Sequence, residues 1–343
     1  MHAQTEIERA VEILRSGGLV AFPTETVYGL GADATSAPAV AKIFSVKGRP
    51  AGNPLIVHVA DVSIARRYVT AWPESAERLA RAFWPGPLTM VLPKSEEIVP
   101  AVTAGLATMA IRCPDHPIAL AMLQKFAGPV AAPSANPSNR ISPTTARHVR
   151  RELGDDVDLI LDGGDCRVGI ESTVIDLTSS PPAILRPGGI SRRQLEELLG
   201  PIESAAPVDR SAPALSPGRQ PVHYAPIAPA FRFGESDLSR LQDLFPSRLG
   251  RSIVFLIIVG TELATKLRES TDRGWTNSGA IMEMPASADD YARRLYAALH
   301  EADDRRPDAI WIQQPPIGTP WDAVKDRISR ATRPASQSLL NMT

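Results

Sequence analysis

Two stretches of this chain gather side chains suited to charged oxygen atoms. In Lys47-Gly48-Arg49-Pro50-Ala51-Gly52-Asn53-Pro54 two cations flank a glycine, and no Asp or Glu occurs between residues 34 and 60. Uncompensated cations beside glycine and proline suit phosphate oxygens, because glycine permits close approach and Arg donates in a fork. The second stretch, Ala131-Ala132-Pro133-Ser134-Ala135-Asn136-Pro137-Ser138-Asn139-Arg140-Ile141-Ser142, directly follows an apolar run. It offers hydroxyl, amide and main-chain donors to an anion or a small polar ligand. Three further loops carry the same kind of residue: Pro23 to Gly29 (PTETVYG), Asp162 to Asp176 with Glu171-Ser172-Thr173, and Leu185-Arg186-Pro187-Gly188. Together they describe a cleft for a phosphorylated, polar ligand that works by positioning and charge stabilisation.

Other chemistries lack their marks. There is no G-x-x-x-x-G-K-[ST], no G-x-S-x-G and no H-E-x-x-H, and neither Cys113 nor Cys166 belongs to a C-x-x-C pair. Gly29 to Ala34 fits G-x-G-x-x-A, but the acidic residue that a dinucleotide fold places about 20 positions on is missing.

The loops need elements to hold them. Apolar runs at 19–22, 55–59 (LIVHV, with His58 alternating), 88–92, 109–112, 129–132 and 159–161 predict strands, and helical patterns fall at 36–46, 61–69, 74–83, 115–126 and 143–152. Thr5 and Glu8 have capping-box spacing ahead of an amphipathic helix with Ile7, Val11 and Leu14 on one face. This is an α/β pattern. Seven prolines between Pro201 and Pro229 mark an extended linker, since proline fixes φ and removes a donor. The expected division is 1–203, a linker over 204–230, and a small α/β unit over 231–343 with strands at 252–259 and 309–312 and helices near 287–302 and 321–331.

Composition narrows the partners. The 343 residues carry 37 Lys+Arg against 38 Asp+Glu, a net charge of −1, so no whole-chain basic field attracts nucleic acid. The longest apolar run, Ile253 to Val259, falls well short of the roughly 20 residues of a membrane helix. The N-terminus has acids and no apolar core of a signal peptide. Two isolated cysteines fit a reducing compartment. These features predict a cytoplasmic protein without a membrane contact.

The motifs PTETVYGLG, KGRPAGNPLIVHV, FWPGPLT, SANPSNRIS, STVID and LRPG, in this order over roughly residues 8–200, resemble the YrdC/YwlC-type L-threonylcarbamoyladenylate synthases. Ser216-Pro217-Gly218 and His223-Tyr224-Ala225-Pro226 resemble the SPG and HYxP element of the long, two-domain form, although Gln220-Pro221 departs from its usual basic-aromatic pair. The resemblance implies a twisted open mixed sheet with helices, YrdC-like, followed by a smaller C-terminal α/β domain. It implies conversion of ATP, L-threonine and bicarbonate, with Mg²⁺, to threonylcarbamoyl-AMP and pyrophosphate. The product serves a tRNA threonylcarbamoyltransferase machinery that forms N6-threonylcarbamoyladenosine at tRNA position 37.

On the matching positions, Thr26, His58, Arg112, Ala132 through its main chain, and Ser172 would hold threonine. Lys47, Arg49, Asn53, Thr108, Ser134, Ser142 and Arg186 would contact ATP, with Lys47 and Arg49 also neutralising charge on the phosphates, and Tyr224 would close over the nucleotide. Neither the metal ligands nor a general base is evident. Two other readings stay open: a carbamoyl-phosphate-dependent carbamoyl-adenylate enzyme, and an RNA-binding or ribosome-maturation factor that contacts tRNA or double-stranded RNA. The first occurs in longer chains with zinc-finger additions that two cysteines cannot build. Against the second, residues 1–203 hold no excess of Lys and Arg over Asp and Glu.

Overall fold

The computed structural model describes residues 2–204, 223–237, 252–265, 269 and 280–335. The chain divides into two compact units, Met1–Ser138 with Ser142–Gln220, and Asn139–Ile141 with Pro221–Thr343. The proline-rich stretch from 204 to 230 is therefore shared between units. Its residues 205–222, including the Ser216-Pro217-Gly218 motif and Gln220-Pro221, lie outside the described residues.

The first unit runs α1 (His2–Arg15), β1 (Val20–Phe22), β2 (Gly29–Asp33), α2 (Ala37–Lys47), β3 (Ile56–His58), α3 (Val62–Arg67), α4 (Glu74–Phe83), β4 (Leu88–Pro93), β5 (Thr108–Arg112) and α5 (Pro117–Phe126). It continues β6 (Val130–Ala131), α6 (Ala146–Leu153), β7 (Leu159–Ile160), β8 (Thr173–Asp176), β9 (Ala183–Arg186), α7 (Arg192–Leu199) and β10 (Glu203–Ser204). The ten strands form one twisted mixed sheet in the order β10-β9-β8-β4-β5-β3-β6-β2-β1-β7. β3 runs parallel to β5 and β4 parallel to β8, while β4 and β5, β3 and β6, and β2 and β6 are antiparallel.

Local chemistry sets the element ends. Ser36 caps α2 by accepting the Ala39 N–H, and Gly48 ends it in the left-handed region at φ 56°, a conformation glycine adopts without steric cost. Lys47 is thereby the last residue of the helix and Arg49 the second beyond it. Asp61, Thr145 and Ser191 cap α3, α6 and α7 in the same way. The helix that Thr5 was expected to cap begins at His2, so Thr5 lies inside it; Ile7, Val11 and Leu14 do form its buried stripe.

The sheet's two faces differ, and that difference creates the site. Val57, Met90, Leu92, Ile111 and Ile175 point into the main core with Val40, Ile43 and Leu79 from α2 and α4. Ile56, Val91, Ala110 and Val174 form a small apolar cluster with Leu185 on the other face. Because side chains alternate along a strand, His58, Thr89 and Arg112 lie two residues from that cluster on the same face.

The second unit carries a five-stranded, all-parallel sheet in the order β13-β12-β14-β11-β15, from β11 (Ala230–Phe233), β12 (Ile253–Ile258), β13 (Ala280–Met284), β14 (Ala309–Gln313) and β15 (Arg333–Pro334). Helices α8 (Ala288–Asp304) and α9 (Asp322–Ala331) accompany it. Its core joins Phe231, Phe233, Phe255, Ile257 and Trp311. Tyr224 is buried here at φ 63°, with its ring 4.0 Å from that of His223 and the Arg327 guanidinium 5.3 Å above it.

Candidate active site

The site is assembled in the first unit from the loops after β1, α2, β6 and β7, the ends of β3, β5 and β9, and the start of β4. In the loop after β1, Thr24 Oγ1 donates to the Val27 carbonyl at 2.7 Å and accepts the Thr26 and Val27 N–H groups. Its one hydrogen is thus committed, so the 2.8 Å contact between the Thr24 and Thr26 hydroxyls has Thr26 as donor. That leaves the Thr26 oxygen to accept from Arg112 Nη1 at 2.9 Å. Arg112 Nη2 meets Glu25 Oε2 at 2.6 Å, and both side chains are almost fully buried. The loop is fastened from several sides: the Glu25 carbonyl accepts the Val168 N–H, the Pro143 carbonyl accepts that of Tyr28, and the Tyr28 hydroxyl bridges Gly163 and Gly164.

His58 sits beside this pair, edge-on to Phe22, with Nδ1 3.3 Å from the Ile56 carbonyl. Burial, reinforced by the Arg112 charge, pulls its pKa down to about 3, so it is a neutral imidazole at physiological pH. The unfolded chain has an ordinary histidine near 6.5. Between pH 6.5 and 3 the unfolded state therefore binds a proton that the native state does not, and stability falls as pH falls, by about 1.4 kcal/mol per unit. Relative to His58→Gln, the unaltered protein is expected to lose about 2–3 kcal/mol more between pH 6.5 and 4.5, read from urea unfolding at the two pH values.

On the next strands, the Thr89 and Ser172 hydroxyls are 2.7 Å apart, and Arg186 closes over Ser172, donating from Nε and Nη2 to its carbonyl and from Nη2 to its hydroxyl. The turn after Arg186 presses on the same segment: a Cβ at Gly188 would lie 2.3 Å from the Thr173 nitrogen, so no other residue fits there. Ser142 donates to Glu171 Oε1 at 2.6 Å.

The cationic loop lies at the far end of α2. The Lys47 ammonium donates to the carbonyls of Ser134 and Asn136, and burial, then the neighbouring Arg49, hold its pKa well below the usual lysine value. Arg49 donates to the Asn53 and Pro54 carbonyls, and the buried Asn53 Nδ2 has no hydrogen-bond partner among the described residues. Ala132 directly follows β6, with its N–H on the Ile56 carbonyl.

The structure thus brings Thr26, His58 and Arg112 together, joins Ser172 to Arg186, and seats Lys47 against the Ser134 loop. Thr108 stands apart. It shares the face of Arg112 but lies four residues earlier on β5, opposite Pro93, about 13 Å away along the strand. Tyr224 belongs to the second unit. Glu25, Thr24, Thr89 and Glu171 were not singled out as site residues from the sequence. Glu25 had a signal, since a carboxylate between two threonines follows a strand predicted to be buried, but its partner is distant in the chain. In sum, the buried side chains of Lys47, Arg49, Arg112 and Arg186 outnumber the carboxylates of Glu25 and Glu171, an excess of positive charge suited to an anionic ligand.

Among the described residues no three His, Cys, Asp or Glu side chains group to hold a metal, and no helix is long and apolar enough to cross a membrane.

Residues 12–188 match the Sua5/YciO/YrdC family, described as telomere recombination, and residues 190–332 match the C-terminal domain of threonylcarbamoyl-AMP synthase. The threonylcarbamoyl-AMP synthase of Bacillus subtilis is 40% identical over 95% of this chain and 92% of its own. The crystal structure of Pyrococcus abyssi Sua5 complexed with L-threonine superposes with a TM-score of 0.84 at 39% identity, covering 95% of this chain and 94% of that one. A variant of the same archaeal protein, with an adjacent His and Tyr both changed to Ala, superposes with a TM-score of 0.83 at 37% identity over 95% and 92% of the two chains. This chain belongs to the Sua5/YciO/YrdC family, in its two-domain threonylcarbamoyl-AMP synthase form.

Proposed function

We propose that the protein condenses L-threonine, bicarbonate and ATP into threonylcarbamoyl-AMP, releasing pyrophosphate and water. The observation that carries this reading is the excess of buried cationic charge divided between two poles, one around Arg112 and one at Lys47 and Arg49. The full-length likeness to threonylcarbamoyl-AMP synthases and the threonine complex of the archaeal relative support it.

In this reading the Arg112 fork takes the threonine carboxylate, for which its buried Nε has no other hydrogen-bond partner among the described residues. Thr26, neutral His58, the Ala132 main chain and Ser172 surround the rest of the amino acid. Once the amine is carboxylated, a carbamate oxygen attacks the α-phosphorus of ATP and pyrophosphate leaves. Lys47, with one of its three ammonium hydrogens uncommitted to the Ser134 and Asn136 carbonyls, and Arg49 would stabilise the charge gathered on the leaving group. Asn53, Ser134, Ser142 and Arg186 would line the phosphate path, with Thr108 toward the adenosine end. Mg²⁺ would enter with ATP as part of the substrate and supply further phosphate neutralisation. Tyr224 would cover the nucleotide; His223-Tyr224 is a pair of the type removed in the archaeal variant. The acyl-adenylate would pass to a cytoplasmic tRNA threonylcarbamoyltransferase.

The test is incubation of the purified chain with ATP, Mg²⁺, bicarbonate and L-threonine, with pyrophosphate and threonylcarbamoyl-AMP followed. Pyrophosphate release that requires both threonine and bicarbonate, with the adenylate seen by mass spectrometry, is the expected result. Release supported by carbamoyl phosphate in their place would overturn the reading, and so would RNA binding without turnover.

A further inference from the structure

We propose that Glu25 receives the proton that the threonine ammonium must lose before its nitrogen can be carboxylated. The inference rests on the reading of the site just given.

At neutral pH threonine arrives as a zwitterion, and a zwitterion is matched by a cation and an anion side by side. The buried Arg112–Glu25 pair is such a receptor, its charges 2.6 Å apart. Glu25 is 1% exposed, and apart from that ion pair neither carboxylate oxygen has a hydrogen-bond partner among the described residues. A substrate carboxylate landing on Nε and Nη2 of Arg112 takes the place Glu25 holds on Nη2. Within one amino acid the ammonium lies about a hydrogen-bond length from its own carboxylate, and it is thereby delivered to the displaced Glu25 oxygen.

A buried carboxylate that has given up its place on the guanidinium then has the substrate ammonium as its neighbouring cation. The other titratable groups that sense Glu25 are Cys113, Cys166 and His116. Burial pushes the Cys113 thiol up to about 12 and the Cys166 thiol up as well, and burial pulls His116 down, so all three are neutral near pH 7. His58 is neutral too, and with a pKa of about 3 it is a poor proton acceptor.

The step balances. A Glu25 carboxylate, a threonine ammonium and bicarbonate give a Glu25 carboxylic acid, the threonine N-carbamate and water. The N–C bond forms and the C–OH bond of bicarbonate breaks. One ammonium hydrogen leaves with that hydroxide as water, one goes to Glu25, and one stays on nitrogen.

The experiment is the pH profile of kcat/KM for L-threonine between pH 6.5 and 8.5, for the unaltered enzyme, Glu25→Gln and Glu25→Asp. The unaltered enzyme, which consumes the ammonium form, is expected to give a nearly flat profile. Glu25→Gln is expected to be about a hundredfold slower at pH 7 and to regain close to tenfold per pH unit as free amine becomes available, while Glu25→Asp stays within about tenfold of the unaltered enzyme. A steep rise already present in the unaltered enzyme would overturn the proposal, and that arm needs no variant to fold. So would a Glu25→Gln profile parallel to the unaltered one, which marks a carboxylate that only holds Arg112 in place. An unaltered enzyme that made no threonylcarbamoyl-AMP would fail the functional reading itself and be recognised as such before any variant is compared.

Discussion

Arg112→Ala is expected to lower kcat/KM for L-threonine by at least about a thousandfold and to cost about 3–5 kcal/mol of stability. The two losses have separate causes. The fork that meets Thr26 and Glu25 is the guanidinium assigned to the substrate carboxylate, so removing it removes that partner. It also strands Glu25, a carboxylate with almost no exposure, without its counter-charge, and an unpaired buried ion is far costlier than an absent pair. Combining Arg112→Met with Glu25→Gln is therefore expected to restore most of the lost stability and none of the activity. Urea unfolding alongside the pyrophosphate assay distinguishes these effects. Equal damage to stability in the single and double variants would refute the stranded-charge account.

How much of this was legible beforehand depends on the distance over which each feature is determined. α2 could be read in the chain because Ser36, Gly48 and the apolar positions between them act within a few residues. His58 was read only as alternating within Leu55 to Val59, and the structure puts its strand neighbours Val57 and Ile56 in separate clusters. β2 was not read as a strand, because glycines at 29 and 31 mask the pattern; Gly31 is needed where Phe22 and its neighbours crowd the backbone, a Cβ there meeting Phe22 and Val130 at 2.9 Å. β8 and β9 are only four residues each and sit between turn residues, so their runs fell below the length that periodicity can resolve.

The long-range features of the site were the illegible ones. Nothing near Glu25 announces Arg112, and nothing near Lys47 announces that its ammonium is held by carbonyls of a loop almost ninety residues on. The motif resemblance supplied Arg112, Thr26, Ser172 and Arg186 as ligand contacts, but neither the contacts among them nor the pairing of Arg112 with Glu25. The registers show why these positions meet: β3 and β5 pair so that His58 lies opposite Arg112, and β4 and β8 pair so that Thr89 adjoins the start of β8 and with it Ser172.

Lys47→Met is the second large effect, and it probes the other pole. Methionine keeps the apolar stem in its buried slot and removes only the ammonium. Two consequences follow from the geometry. The Ser134 and Asn136 carbonyls lose the donor that holds the loop in register, and the proposed phosphate path loses a buried ammonium beside Arg49. Adenylate formation is expected to fall by about a hundred- to a thousandfold in kcat, the range for removing one preorganised donor at a centre of developing charge. Threonine binding, measured by calorimetry without ATP, is expected to change by less than about threefold, because Arg112, Thr26 and Ser172 are fastened by Glu25, Thr24, Thr89 and Arg186 rather than by Lys47. Should threonine affinity fall in step with kcat, the two poles would be one cooperative unit, and Lys47 would act on the amino-acid pole through the Ser134 loop instead of on the phosphates.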